Sequence, residues 1–420
     1  MKSTLKSSYY QKKYRSLITN SSSLFSIKTI DLVLAFWMIP FIILKVGLHN
    51  YGIYAFAMAL ALFFSNVLGY SFNLSAVRDI AKSKKDPVKL TYLFNDIFWA
   101  KLFIFTLLFP VYIILIYNVP QFAAYKTLYL YSSLLLIGDL FSLSWFFMGL
   151  EKMKFIAFIH FMGTIIYALL VYCCIKDPTD YYKIPLFQAI GLIVTSLVSF
   201  VWVMKKHKIK IKKSSFARVL SYLKINFSSF INLLLPSTYG TVLVFIVGAV
   251  GLPIQVGFMH IGLKFTAAFS ALNSILTNVL FPIANRKKNS LKAIRKALNR
   301  TGFMMSLLMF VSASYLVAYW LPFESATELD NTIAILQLLS PVPFLMSLVS
   351  SYGVNGLLVH YRDIQFGKIT LFSSLIMIVL AFVLVPKTLF IGGAIAFLIG
   401  RMVYAFLSFY FFNKTNKHAI

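Results

Sequence analysis

The sequence predicts an all-α polytopic membrane protein of twelve transmembrane helices, arranged as two six-helix bundles in a parallel pseudo-repeat. Three observations predict it. Of 420 residues, 60% are hydrophobic and only 12% charged, against about half and about a quarter in soluble domains. Apolar runs of about 18 residues or more, long enough to cross a bilayer, recur along the chain. Basic residues gather on alternate connections between those runs. Together these exclude a soluble enzyme, a disordered chain and a disulfide-stapled secreted domain. The net charge of +28 therefore reads as a topology signal and not as a nucleic-acid footprint.

The elements follow in order. A polar, basic tail (1–17) carries Lys2, Lys6, Lys12, Lys13 and Arg15 and no cleavable signal pattern. Predicted helices cover 18–44, 51–77, 92–117, 127–150, 155–175 and 184–204. A basic linker spans 205–221. Six more helices cover 222–249, 254–282, 301–322, 332–358, 369–386 and 390–412, and a tail (413–420) closes the chain. The two termini and the even-numbered connections hold 30 of the 40 Lys and Arg, and the odd-numbered connections hold five. That asymmetry predicts a multi-pass membrane protein with both termini cytoplasmic. Cys173 and Cys174, the only cysteines, are adjacent, which suits packing and neither a framework disulfide nor a zinc site.

The odd-numbered loops are too short to hold the acidic groups of a membrane glycosyltransferase. No GxxxxGK[ST] phosphate loop is present, so no ATP engine is fused to the chain. The chain also repeats. Asn20-Ser-Ser-Ser-Leu-Phe opens the first helix and Asn226-Phe-Ser-Ser-Phe-Ile the seventh. Val46-Gly47 answers Val247-Gly248, and Gly149 answers Gly356, 207 residues on. Six spans per half is even, so both halves enter from one side, and a cleft between such halves is where a transporter binds its cargo.

Ionisable groups at membrane depth are costly and mark cavities or partners. Asp31, Asp139 and Arg401 fall at helix centres, and Lys28, Lys101 and Lys264 within about 6 Å of centre. Lys28 and Asp31 share a helix face, and Lys101 and Asp139 sit on neighbouring helices, so each could be an ion pair, a cavity-lining site or both. Lys264 and Arg401 have no acidic neighbour in sequence. An excess of cations in a central cleft suits an anionic headgroup such as a phosphate or diphosphate. Lys264, Lys28, Arg401 and Lys101 are the candidate contacts, with Asp31 and Asp139 as charge partners. His260, one turn before Lys264, is either a packed histidine or a coupling group. No metal site or cofactor is expected. Proton or sodium coupling stays open.

Three segments carry a family resemblance. Gly69-Tyr-Ser-Phe-Asn-Leu-Ser-Ala-Val-Arg-Asp-Ile-Ala81, Asp96-Ile-Phe-Trp-Ala-Lys101 and Trp145-Phe-Phe-Met-Gly-Leu-Glu-Lys-Met153 resemble, in turn, the end of helix two, the third-helix signature and the end of helix four in Wzx-type O-antigen flippases. Those flippases form the polysaccharide transport branch of the MATE-like MOP superfamily, which also holds the lipid II flippases. The chain departs from many relatives at Leu143 and Met148, where they have Pro and Gln. The resemblance implies that the chain moves undecaprenyl-diphosphate-linked oligosaccharide repeat units to the outer leaflet by alternating access. It further implies a place in the bacterial inner membrane, with a polysaccharide polymerase and chain-length regulator nearby. From the charges themselves, the basic loops are topology signals with a secondary attraction to anionic membrane lipid, and no nucleic acid is expected. Two alternatives remain: an ion-coupled exporter of small molecules, which would prefer an acidic cavity, and a membrane enzyme acting on the same lipid carrier.

Overall fold

The computed structural model describes residues 37–286, 291–360 and 362–417. Among them there is no strand. The helices are α1 (Trp37–Gly69), α2 (Ser75–Ser83), α3 (Pro87–Asn118), α4 (Pro120–Ala123), α5 (Lys126–Phe141), α6 (Ser144–Gly149), α7 (Met153–Cys174), α8 (Ile184–His207), α9 (Phe216–Val250), α10 (Pro253–Arg286), α11 (Leu291–Trp320), α12 (Ala326–Leu339), α13 (Val342–Leu348) and α14 (Asp363–Lys417). By length and composition, eight segments among the described residues can cross a membrane. Each of the twelve expected spans nevertheless coincides, over most of its described length, with helical backbone, the first from residue 37 onward.

Two of the eight long segments contain a break where two expected spans meet. In α1 the break is Gly47, at φ +77°, a conformation that glycine adopts without steric cost. In α14 it is Leu389, at φ 53° and ψ −127°, three residues after Pro386. The chain reverses there. A Cβ on Gly392 would meet the Leu384 carbonyl at 2.5 Å, and one on Gly400 would meet the Met377 side chain at 2.7 Å. Thr370 Oγ1 donates to the Tyr404 hydroxyl at 3.1 Å. Contacts that pair residues progressively farther from the break on one side with residues progressively farther on the other describe an antiparallel helix pair.

Local chemistry sets the other boundaries. Asp86 caps α3, accepting from the Val88 and Lys89 amides at 3.0 Å each, with Pro87 in the first turn. The expected fourth helix is interrupted at Ser142, which has extended backbone and separates α5 from α6. The expected tenth helix passes through α12 and α13 into a π-helical stretch, Val349–Leu357. The repeat offset of 207 carries Ser142, where α5 ends, onto Val349, where the π-helical stretch begins.

Helix faces without protein neighbours are apolar. In α7 only Val171 is buried, while Phe158, Phe161, Leu169 and Tyr172 are exposed. Such a surface fits hydrocarbon better than water. Residues in or beside the odd-numbered connections meet one another: Asn50 Nδ2 donates to the Pro178 carbonyl at 3.2 Å, and Gln121 Nε2 to the carbonyl of Ala249, in the last turn of α9, at 3.1 Å. At the opposite end, Asn95 Nδ2 donates to the Lys210 carbonyl at 3.0 Å. The alternation read from charge is therefore present in space, as a charge-poor end and a basic end.

Candidate functional site

The two halves touch closely at the charge-poor end. A Cβ on Gly52 would lie 1.8 Å from the Pro253 carbonyl oxygen, and one on Gly257 would lie 3.2 Å from that of Leu48. Phe56 fills the space beside Gly248, where a Cβ would meet its ring at 2.4 Å. Trp37 and Trp320 stack edge to face at 6.1 Å. At the basic end the start of α9 rests on the α1–α2 corner. There Tyr70 stacks on Phe230 at 4.4 Å and donates to the Leu223 carbonyl at 2.7 Å.

Between these contacts lies a cavity of about 630 Å³, walled by α1, α7, α8 and α10. Lys264 and His260 come from α10, Tyr51 and Tyr54 from α1, Tyr167 from α7 and Gln188 from α8. Lys264 is exposed within it, about 16 Å along the helix from Pro253 at 1.5 Å per residue. The Tyr51 hydroxyl lies 2.8 Å from His260 Nδ1, which ties the two halves together through one polar contact. Tyr54 donates to Gln188 Oε1 at 3.4 Å, and its hydroxyl also pairs with that of Tyr167. Met38, Ile39 and Met58 complete an apolar floor, and the described lining contains no carboxylate. A cation, an amide and several phenols around an apolar floor can bind an anion and a polyhydroxylated group side by side.

The structure sorts the expected site residues. Lys264 and His260 share the cavity. Lys28 and Asp31 lie outside the described residues. Lys101 and Asp139 are elsewhere, in the packing of α3 against α5. Lys101 Nζ donates to the backbone carbonyls of Asp139, at 2.5 Å, and Ser142, at 3.1 Å. Its charge thus lies against the carbonyls at the negative, C-terminal end of α5, while Ser65 bonds the Asp139 carboxylate. Arg401 is half-buried in the second half, its guanidinium 4.6 Å from the Tyr239 ring centre and 4.8 Å from that of Phe397. Aromatic faces stabilise that cation. Neither Lys101 nor Arg401 lines the central cavity. Tyr51, Tyr54, Tyr167 and Gln188 were not singled out in the sequence, where tyrosines near helix ends read as interfacial anchors.

Comparison with known proteins agrees with this architecture. A family model described as polysaccharide biosynthesis protein matches residues 17–287. The chain belongs to that family. A protein of Escherichia coli (strain K12), whose name assigns it provisionally to O-antigen transport, is 27% identical over 369 residues, covering 86% of this chain and 88% of that one. A similarly named protein of Shigella dysenteriae is 24% identical over 177 residues, 41% of this chain and 44% of that one. Among solved structures, the lipid II flippase MurJ superposes with a TM-score of 0.71 at 16% identity, covering 94% of this chain and 87% of that one. An inward-facing MATE-family multidrug transporter gives 0.60 at 14% identity, covering 95% and 94%. These structural likenesses establish for this polysaccharide biosynthesis protein an all-α fold of the MOP type.

Proposed function

We infer that this polysaccharide biosynthesis protein is a flippase for lipid-linked oligosaccharides. The observation that carries the reading is Lys264, exposed in a cavity between the halves and surrounded by Tyr51, Tyr54, Tyr167 and Gln188. A lipid-linked sugar offers an anionic diphosphate and a set of hydroxyls, and that lining has a group for each. The names of the relatives, O-antigen transport in one case and lipid II flipping in another, support the same class.

The finer reading follows from the chemistry. The cargo is an undecaprenyl-diphosphate-linked repeat unit, moved from the cytoplasmic to the outer leaflet of the bacterial inner membrane, with both termini cytoplasmic. The protein acts as a secondary-type transporter and not as an enzyme, without a resident cofactor. Alternating access opens the cavity to each side in turn, and the lipid tail stays in the bilayer. Lys264 grips the diphosphate, and the Tyr51–His260 contact reports on closure because its partners come from different halves. Polymerase and chain-length regulator would act on the delivered units.

The test is leaflet-resolved. In a strain lacking this protein, lipid-linked repeat units should accumulate in the inner leaflet and surface polymer should fall. Units reaching the outer leaflet at the normal rate would overturn the reading.

A further inference from the structure

A second cavity, of about 620 Å³, lies at the basic end, away from the central one. It is a groove between the linker and the α2–α3 corner. The linker is built into place there. Lys208, at φ 52°, ends α8 and turns the chain. Ile209 is 3% exposed and anchors the turn in the core. Asn95, itself 4% exposed, holds the next stretch twice: its Nδ2 donates to the Lys210 carbonyl at 3.0 Å, and its Oδ1 accepts from the Lys212 amide at 2.9 Å. Trp99 Nε1 donates to the Lys212 carbonyl at 2.9 Å. These side-chain bonds to the backbone of Lys210 and Lys212 fix in place a strap whose charges alone give a topology signal and a diffuse attraction to anionic lipid.

The strap fixes where the lysines stand. Lys208, Lys210, Lys212 and Lys213 all line the groove and are exposed. Among the described residues, none of these four has a carboxylate within salt-bridge distance. The groove's acid, Asp96, is engaged by Ser214 and lies 3.8 Å from Arg218. Beside this basic rim the wall is apolar: Val88 is 66% and Tyr92 51% exposed, and Phe216 continues the surface. The juxtaposition of clustered cations and bare apolar side chains at the end of a helix bundle has the layout of a membrane interface.

We propose that this groove binds the headgroup of an anionic phospholipid, with the phosphate on the strap lysines and the upper acyl chains against Val88 and Tyr92. The lipid clamps the linker to the first half and so fixes one end of the joint between the halves. This is independent of what the central cavity carries.

The purified full-length protein, delipidated in detergent, is titrated with phosphatidylglycerol or phosphatidylcholine, and bound lipid is counted by native mass spectrometry. Phosphatidylglycerol should bind at low stoichiometry and phosphatidylcholine about tenfold more weakly or less. The triple variant K208Q/K210Q/K213Q should lose that preference. Asn95→Leu keeps every lysine but frees the strap, and it should weaken phosphatidylglycerol binding severalfold. Trp99→Phe, which removes one strap bond, is the milder companion should Asn95→Leu fold poorly. Equal binding of the two lipids, or wild-type binding by the triple variant, overturns the proposal. Loss in the triple variant with full binding in both strap variants also overturns it, because diffuse charge would then suffice. Displacement of the lipid by millimolar-range inorganic pyrophosphate, as readily as by free phosphatidylglycerol, would assign the groove to a soluble diphosphate instead.

Discussion

At the residue scale, depth in the membrane does not distinguish a site from a strut. Lys101 and Lys264 are lysines at similar depth, each on an apolar helix. Lys264 faces the cavity, whereas Lys101 is spent on two carbonyls at the broken end of α5. Their substitutions should therefore fail differently. Lys264→Ala removes a charge-assisted contact worth a few kcal/mol and should cut export about 10²-fold at unchanged protein level. Lys264→Arg keeps the charge and should retain part of the export. Lys101→Met strips a buried group from its partners, a loss of about 3–5 kcal/mol by analogy with broken buried pairs, so it should lower the amount of folded protein while what remains transports normally. Surface polymer per molecule of membrane protein separates the two. Near-normal polymer with Lys264→Ala would remove it from the site. The sequence could not make this distinction because the facing direction of a side chain depends on helix rotation against neighbours, and an all-apolar helix carries little periodic signal of it. Tyr51 and Tyr54 were missed for the same reason: their distance from a helix end was legible, their inward direction was not.

At the element scale, helix number and order were legible and helix continuity was not. Hydropathy locates each span because a bilayer demands length and apolarity. It is indifferent to whether two spans are joined by a loop or, as at Gly47 and Leu389, by one unusual residue in otherwise helical chain. The interruption at Ser142 was likewise hidden, since Lys101 bonds the carbonyls at the break from another helix. Gly52 shows what the element contacts demand. Its α1 helix meets the start of α10 backbone to backbone, and a Cβ would sit 1.8 Å from the Pro253 carbonyl oxygen. A carbonyl in a helix start cannot step aside as a flexible side chain can. Gly52→Ala should therefore disfavour closure at the charge-poor end without unfolding either half. The readout is the labelling rate of a cysteine placed at Leu48, which is 3% exposed. That rate should rise about tenfold and export should fall. An unchanged labelling rate would show that this contact does not govern closure.

At the scale of the whole molecule, the basic end and the charge-poor end make two predictions. Alkaline phosphatase fused after Lys213 should be inactive and fused near Glu328 active, because the basic end is expected to face the cytoplasm; the reverse pattern would invert the membrane orientation. The second concerns motion. Alternating access requires the halves to separate at the charge-poor end in some part of the cycle. Gln121 belongs to the first half and Val250 to the second, and Gln121 already donates to the carbonyl of Ala249 at 3.1 Å. Both side chains are exposed, so cysteines at 121 and 250 can be joined by a short bifunctional maleimide. The background is a chain with Cys173 and Cys174 replaced by Ala; both are exposed and free and would otherwise compete for reagent. Joining the halves there should abolish transport in reconstituted vesicles. The single-cysteine proteins treated with the same reagent should keep it, which separates locking from modification. A spacer longer than the opening should restore movement, and the length at which it does so measures how far the halves part. Full transport with the shortest spacer would mean that the cargo crosses without separation of the halves at this end.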